Sequence, residues 1–213
     1  PDGKHVYVAA YYASAVAWLT RDSATGALTY VGRYSSVNIN GANSVTVSQD
    51  GKHVYVAAAA ADAVAWLTRD SATGALTYVG RYSSVNINDA TSVTVSPNGE
   101  NVYVAIYEDD AVAWFTRDIS TGALTYADRY SNANIDGVIA ITVSTDGRHV
   151  YVAAGVADAV TWFTRESATG ALTYADRYSN ANIDGATSVT VSPDGKHVYV
   201  AAANSNAVAW FTR

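Results

Sequence analysis

A fixed period of 48 residues governs this chain. The stretch DGKHVYVA opens it at Asp2–Ala9 and returns at Asp50–Ala57 and Asp194–Ala201, with Arg148 for the lysine at Asp146–Ala153 and a weaker variant at Asn98–Ala105. A tryptophan trails each copy, at Trp18, Trp66, Trp114, Trp162 and Trp210, without slippage. A repeat of this length dictates architecture, because each unit must bury its apolar face against a neighbouring copy.

Residues 44–91 show what one unit contains. Ser44-Val-Thr-Val-Ser48 alternates and is β-branched, which predicts a short strand, A. Asp50-Gly51 then signals a hairpin, since glycine accepts positive φ without steric cost. Val54–Ala57 predicts strand B, Ala63–Arg69 strand C and Ala75–Tyr82 strand D, with a turn at Asp70–Gly74 between the last two. No apolar period of 3.6 residues appears, so no helix is expected. Four antiparallel strands per 48 residues describe a β-propeller blade. Both faces of such a blade are buried, and the tryptophans are expected to pack between blades.

The phase of the motif sets the expected organisation. Residues 1–43 supply strands B, C and D of an incomplete first blade. Residues 44–91, 92–139 and 140–187 supply complete blades, and 188–213 supply strands A, B and C of an incomplete last one. The expectation is an all-β fold, a partial propeller of about 4.5 blades forming an open arc. The chain holds no Met and starts inside a repeat, which implies a piece of a longer product. Its open ends are expected to meet further blades of a parent chain or to self-associate.

Composition narrows the partners. A net charge of −6 argues against nucleic acid, whose binding rests on clustered Lys and Arg. No apolar run is long enough for a membrane span. With no Cys, thiolate metal sites and disulfides are excluded.

The run SPDGKHVYVA, the NAVAWFTR strand and the TGALTY turn resemble the YVTN-type repeats of bacterial β-propeller proteins of the lactonase-like, 6-phosphogluconolactonase-related family. The resemblance covers the whole chain. It implies a parent of roughly seven blades, often exported, hence extracellular or at the cell surface. It also implies sugar-lactone hydrolysis for some members. The matching motif contains no catalytic residue to carry over.

Residues 1–48 and 49–96 differ only at positions 1, 11, 12, 14, 41 and 43. Five of these fall in the B–C and D–A links, which emerge on one face of a propeller. Loops on a rigid scaffold carry binding. The candidate ligand contacts are therefore Tyr11, Tyr12, Asp62, Tyr107, Glu108, Asp109, Asp110, Asp158, Asn204 and Asn206. Glu108, Asp109 and Asp110 are oxygen donors suited to a hard cation, but the D–A links lack the other ligands of a calcium loop, so no metal and no cofactor are expected. The histidines His5, His53, His149 and His197 share one slot a blade apart and read as turn-side strand residues. Arg33, Arg81, Arg129 and Arg177 read as blade-edge or cross-strand partners.

The nucleophile elbow, HExxH and the P-loop are all absent, and the blades barely diverge. The primary expectation is a non-catalytic scaffold presenting its B–C and D–A loops to a small molecule, carbohydrate or protein. The alternative is a fragment of a lactonase-type hydrolase acting on sugar lactones.

Overall fold

A computed structural model describes residues 2–213. Eighteen strands form five antiparallel sheets, each a sequential meander. The first blade holds β1 (His5–Ala10), β2 (Ala15–Arg21) and β3 (Leu28–Ser35). The second holds β4 (Ala42–Val47), β5 (His53–Ala58), β6 (Ala63–Arg69) and β7 (Leu76–Ser83). The third holds β8 (Ala90–Val95), β9 (Asn101–Ile106), β10 (Ala111–Arg117) and β11 (Leu124–Ser131). The fourth holds β12 (Val138–Val143), β13 (His149–Ala154), β14 (Ala159–Arg165) and β15 (Leu172–Ser179). The fifth holds β16 (Ala186–Val191), β17 (His197–Ala202) and β18 (Ala207–Thr212). The expected four and a half blades are thus five, the first and last with three strands each.

The strands β4, β8, β12 and β16 contact one another in succession and so form the inner edge. Each carries a bulge near its start, between Ala42 and Ser44, Ala90 and Ser92, Val138 and Ala140, and Ala186 and Ser188. The bulge bends the inner strand where it meets the loop face.

Blade faces pack against each other. Val16, Val54, Val56, Ala65, Leu67 and Leu76 join the first blade to the second. Phe115 and Phe163, fully buried, anchor the next two interfaces. Each such ring contributes about 2–3 kcal/mol of transfer free energy. Trp114 packs as expected, at 6% exposure, whereas Trp210 is 71% exposed on the fifth blade. The tryptophan expectation therefore fails at that position, where among the described residues no further sheet covers β18.

Short 3-10 turns interrupt the expected helix-free chain. Val37–Ile39, Val85–Ile87, Ala133–Ile135 and Ala181–Ile183 each form one in the D–A link. A side chain caps each start: Ser36, Ser84, Asn132 and Asn180 accept from the backbone N–H two residues on. The isoleucine ending each turn is fully buried, which pins the link to the blade. A fifth turn, Ala59–Ala61, lies in a B–C link. A period of 3.6 residues cannot reveal turns this short.

The opposite face is stitched by an arginine clamp that repeat-by-repeat reading misses. Arg69 of the second blade donates from Nε to the Tyr7 hydroxyl at 2.8 Å and from Nη1 to the Gly51 carbonyl at 3.0 Å. Its Nη2 reaches Asp2 Oδ2 and His5 Nδ1, both at 2.9 Å. Arg117 repeats this with Tyr55, Gly99, Asp50 and His53. Arg165 uses Tyr103, Gly147, Asn98 and Asn101. Arg213 reaches Gly195, Asp146 and His149. His5, His53 and His149 are thus acceptors between blades. Arginine offers no acceptor, so each bonded Nδ1 must be unprotonated.

Candidate functional site

The loop face is a chain of hydrogen bonds between successive blades. The last residue of each B–C link takes the left-handed conformation: Ser14, Asp62, Asp110, Asp158 and Asn206, with φ of 43° to 50°. Short polar side chains tolerate that region because they can bond locally. Asp62 Oδ1 accepts from Asp89 N–H at 3.0 Å, Asp110 Oδ1 from Gly137 N–H at 2.7 Å, and Asp158 Oδ1 from Gly185 N–H at 2.8 Å. Ser14 Oγ donates to Asn40 Oδ1 at 2.8 Å. The next blade closes the other side: Tyr107 N–H donates to Asp89 O at 3.0 Å, and Gly155 N–H to Gly137 O at 2.9 Å. Asp62, Asp110 and Asp158 therefore hold the two kinds of loop together.

One junction departs from the others. The residue before each inner strand is Gly41, Gly137 or Gly185, but between the second and third blades it is Asp89, at φ 57°. A non-glycine residue held in that region costs of order 1 kcal/mol and tends to mark a functional position. Beside it lies a polar hollow of about 510 Å³ lined by Asp62, Ser83, Ser84, Val85, Asn88 and Asp109. Two carboxylates, two hydroxyls and an amide face it, with no cation among the lining groups. Arg129 stands behind it, donating from Nη1 to Asp109 Oδ2 at 2.9 Å. The bond ties β11 to the B–C link of its own blade, and Arg33, Arg81 and Arg177 have Ala13, Ala61 and Ala157 at the position of Asp109.

Asp89 and Asp136 on the loop face shift in the opposite direction to Asp2, Asp50 and Asp118 on the turn face. On the turn face, the Arg69 guanidinium and the Lys4 N–H hold Asp2 down at about 2. Burial opposes ionisation of Asp50, but Ser48, Lys52 and Arg117 outweigh it and bring that group to about 2 as well. The Ser120 hydroxyl and Thr121 N–H do the same for Asp118. On the loop face, burial followed by the charges of Glu108 and Asp62 pushes Asp89 up. Burial and neighbouring Asp110 push Asp136 up. A carboxyl with raised proton affinity can exchange protons nearer neutrality.

The other candidates scatter around the same face. Tyr11 and Tyr12 meet edge to face at 5.3 Å on the first blade, with Tyr12 wholly exposed. Tyr107 is half-buried and Glu108 exposed, both next to the Asp89 junction. Asn204 Nδ2 donates to Asp184 Oδ1 at 2.9 Å, far along the arc, and Asn206 is exposed there. The structure therefore brings Asp62, Tyr107, Glu108 and Asp109 to one junction. Tyr11, Tyr12, Asp158, Asn204 and Asn206 lie at others. Among the described residues, no group of three or more His, Asp or Glu could hold a metal ion. Sequence reasoning missed Asp89, Ser83, Ser84 and Arg129. The signal for Asp89 was present, since position 41 and its equivalents vary between Gly and Asp.

The sequence profile of the family "Lactonase, 7-bladed beta-propeller" matches residues 1–139 and 130–213. The chain belongs to this family. No curated protein matches it. Its lactonase fold is shared with a candidate 6-phosphogluconolactonase of Bacteroides uniformis, at TM-score 0.86 and 18% identity, covering 100% of this chain and 65% of that one. The periplasmic gluconolactonase PpgL of Pseudomonas aeruginosa is similar at TM-score 0.84 and 24% identity, covering 100% and 64%. A protein of Lactobacillus plantarum matches at TM-score 0.87 and 21% identity, covering 99% and 64%. At such identities the likeness concerns the fold. The lactonase-family chain spans about two thirds of the length of these relatives.

Proposed function

We propose that the loop face at the second and third blades binds and hydrolyses an uncharged sugar lactone, and that the five blades form an open arc of a seven-bladed ring. Family membership makes lactone hydrolysis the reading of choice over the non-catalytic scaffold. The observation that carries it is the junction at Asp89, a non-glycine residue at φ 57° beside a hollow lined by Asp62, Ser83, Ser84, Asn88 and Asp109, where burial and the charges of Glu108 and Asp62 also push its carboxyl up.

In this reading Asp89 acts as general base. It takes a proton from water as the water oxygen bonds to the lactone carbonyl carbon. The ring C–O bond then breaks, the ring oxygen takes up the proton, and the open hydroxy acid leaves. The Ser84 hydroxyl, which lines the hollow, donates to the developing negative charge on the carbonyl oxygen, with Arg129 behind Asp109. Ser83, Ser84, Asn88 and Asp109 suit the hydroxyls of a sugar. Tyr107 and Glu108 flank the mouth, and Tyr11, Tyr12, Asn204 and Asn206 are more distant rim contacts. The acidic lining disfavours a phosphorylated substrate, which would need cations to meet it.

Titration of the chain with glucono-δ-lactone, read as acid release above the spontaneous rate, tests this. Asp89→Asn should lower turnover by about a hundredfold or more while leaving saturable binding in place. Binding without turnover in the unaltered chain would restore the scaffold reading. Loss of both would remove the hollow as a site.

A further inference from the structure

The hollow beside Asp89 has one apolar group in its lining, Val85, and that residue is 87% exposed. The turn itself does not require a valine there. Ala133 and Ala181 start the corresponding 3-10 turns in the next two D–A links. A β-branched side chain is stiff at χ1, so Val85 keeps a fixed direction although it stands in solvent. Its backbone is fixed as well: Ser84 caps the turn by accepting from Asn86 N–H at 3.2 Å, and Ile87 is fully buried. Val37 is similarly exposed in the first link. There, however, Ser14, Gly41 and Ala61 replace Asp62, Asp89 and Asp109, so that junction has none of the three carboxyls.

Several polar groups around the hollow are committed to the fold. Ser83 Oγ donates to Ala61 O at 3.4 Å, Asp62 Oδ1 accepts from Asp89 N–H, and Asp109 Oδ2 accepts from Arg129. Ser84 Oγ accepts from Asn86 N–H and so keeps its own proton for a ligand. The donor Ser84 and the apolar Val85 are consecutive, with Cα atoms about 3.8 Å apart. A sugar lactone has a matching pair of substituents: the carbonyl on one side of the ring oxygen and the side-chain carbon on the other. Resting on the hydrolase reading above, we infer that this site selects a 6-deoxyhexonolactone, whose side-chain carbon is a methyl group rather than a hydroxymethyl. With the carbonyl oxygen at Ser84, that methyl group meets Val85.

The selection follows from what each group exchanges with water. A methyl group against Val85 takes apolar surface of both partners out of water. A hydroxymethyl at the same place sets a hydroxyl against a side chain that neither donates nor accepts, and the hydroxyl loses water without compensation. An added hydroxyl at an apolar contact changes kcat/KM by roughly tenfold to a hundredfold. Val85 is open on its outer side, which puts this site at the low end of that range.

The test compares 6-deoxy-D-glucono-δ-lactone with D-glucono-δ-lactone on the whole chain, reading acid release above the spontaneous rate of each. The unaltered chain should favour the 6-deoxy lactone by about tenfold in kcat/KM. Val85→Ala adopts the residue of the next two links and should bring that ratio below about two. Val85→Thr keeps the shape, adds a hydroxyl and should do the same. Urea melts of both variants should match the unaltered chain, because the side chain is exposed. Equal kcat/KM for the two lactones in the unaltered chain would overturn the methyl assignment and leave the hydrolase reading in place. A preference that survives both substitutions would overturn Val85 as its source. Turnover of neither lactone would remove the hydrolase reading itself, and this inference with it.

Discussion

Arg117 Nε donates to the Tyr55 hydroxyl at 2.6 Å, joining the third blade to the second. The same guanidinium bonds to Gly99 O, Asp50 Oδ2 and His53 Nδ1, at 2.8, 3.0 and 2.8 Å. Its side chain is 1% exposed. Blade stacking thus rests on a buried cation making four hydrogen bonds as well as on apolar contact.

Removing that cation strands three partners in the interior. Arg117→Ala should cost about 2–4 kcal/mol, because the buried Tyr55 hydroxyl, Gly99 carbonyl and His53 Nδ1 lose their partner while the more exposed Asp50 is solvated. Arg21 occupies the same slot in the first blade but is exposed and bonds only to Gly3 O, at 3.4 Å. Arg21→Ala should therefore change stability by less than about 0.5 kcal/mol. Urea denaturation of the two variants checks the contrast. Equal losses would show that the arginine acts within its own blade.

The clamp also sets the response to acid. Burial and then the charge of Arg117 lower the pKa of His53, and burial and then Arg213 lower that of His149. Between the folded pKa and the unfolded value near 6.5, the unfolded chain binds more protons. Stability is therefore complete above about pH 6.5 and declines as pH falls below it. The third blade carries Asn101 in the histidine slot, and its Oδ1 accepts from Arg165 at 2.6 Å. His53→Asn should keep the clamp and make the melting temperature fall less steeply between about pH 6.5 and 5. An unchanged slope would remove His53 from the acid response.

Much of this fold is legible because a blade is local. The hairpin at Asp50-Gly51 and the alternation through Val54, Tyr55 and Val56 involve neighbours in sequence. The clamp is not local: Arg69 and Tyr7 are 62 residues apart, more than one repeat. Reading a single repeat assigns the histidine and arginine to separate strands and leaves both idle. One trace was available, since Asp and His become Asn98 and Asn101 together in the third blade. Paired changes of that kind mark partners. The site was half legible for a related reason. Variation pointed to the right face, but Asp62, Asp110 and Asp158 vary within a bonding role. Arg129 was hidden because its slot is constant, while its partner Asp109 is Ala13, Ala61 and Ala157 in the first, second and fourth blades.

A glycine beneath a tryptophan limits the second blade. A Cβ added to Gly80 would lie 2.6 Å from Cζ2 of Trp66, and Gly32 stands in the same relation to Trp18 at 2.7 Å. The indole Nε1 of both tryptophans is buried without a partner. Gly80→Ala should destabilise the chain by about 1–3 kcal/mol through overpacking. Trp66→Phe removes the clashing ring, so in a double-mutant cycle the pair should lose less than the sum of the single changes. Strict additivity would show that Gly80 is required by its own backbone instead.

Asp158 separates a loop-holding role from a ligand-binding one. Its φ of 46° is left-handed, and its Oδ1 accepts from Gly185 N–H at 2.8 Å. Asp158→Ala loses that bond and places Ala in a region that costs it about 1 kcal/mol, so the total loss should be about 2 kcal/mol. Asp158→Asn keeps an oxygen acceptor, and asparagine tolerates the same backbone, as Asn206 shows at φ 50°. Its stability should stay within about 0.5 kcal/mol of the starting chain. Denaturation melts measure both changes, and lactone titration measures the second property. If Asp158→Asn keeps its stability but loses lactone binding, the carboxylate touches ligand and the site extends to the fourth and fifth blades. If it keeps both, the charge is dispensable and the side chain serves the loop junction alone.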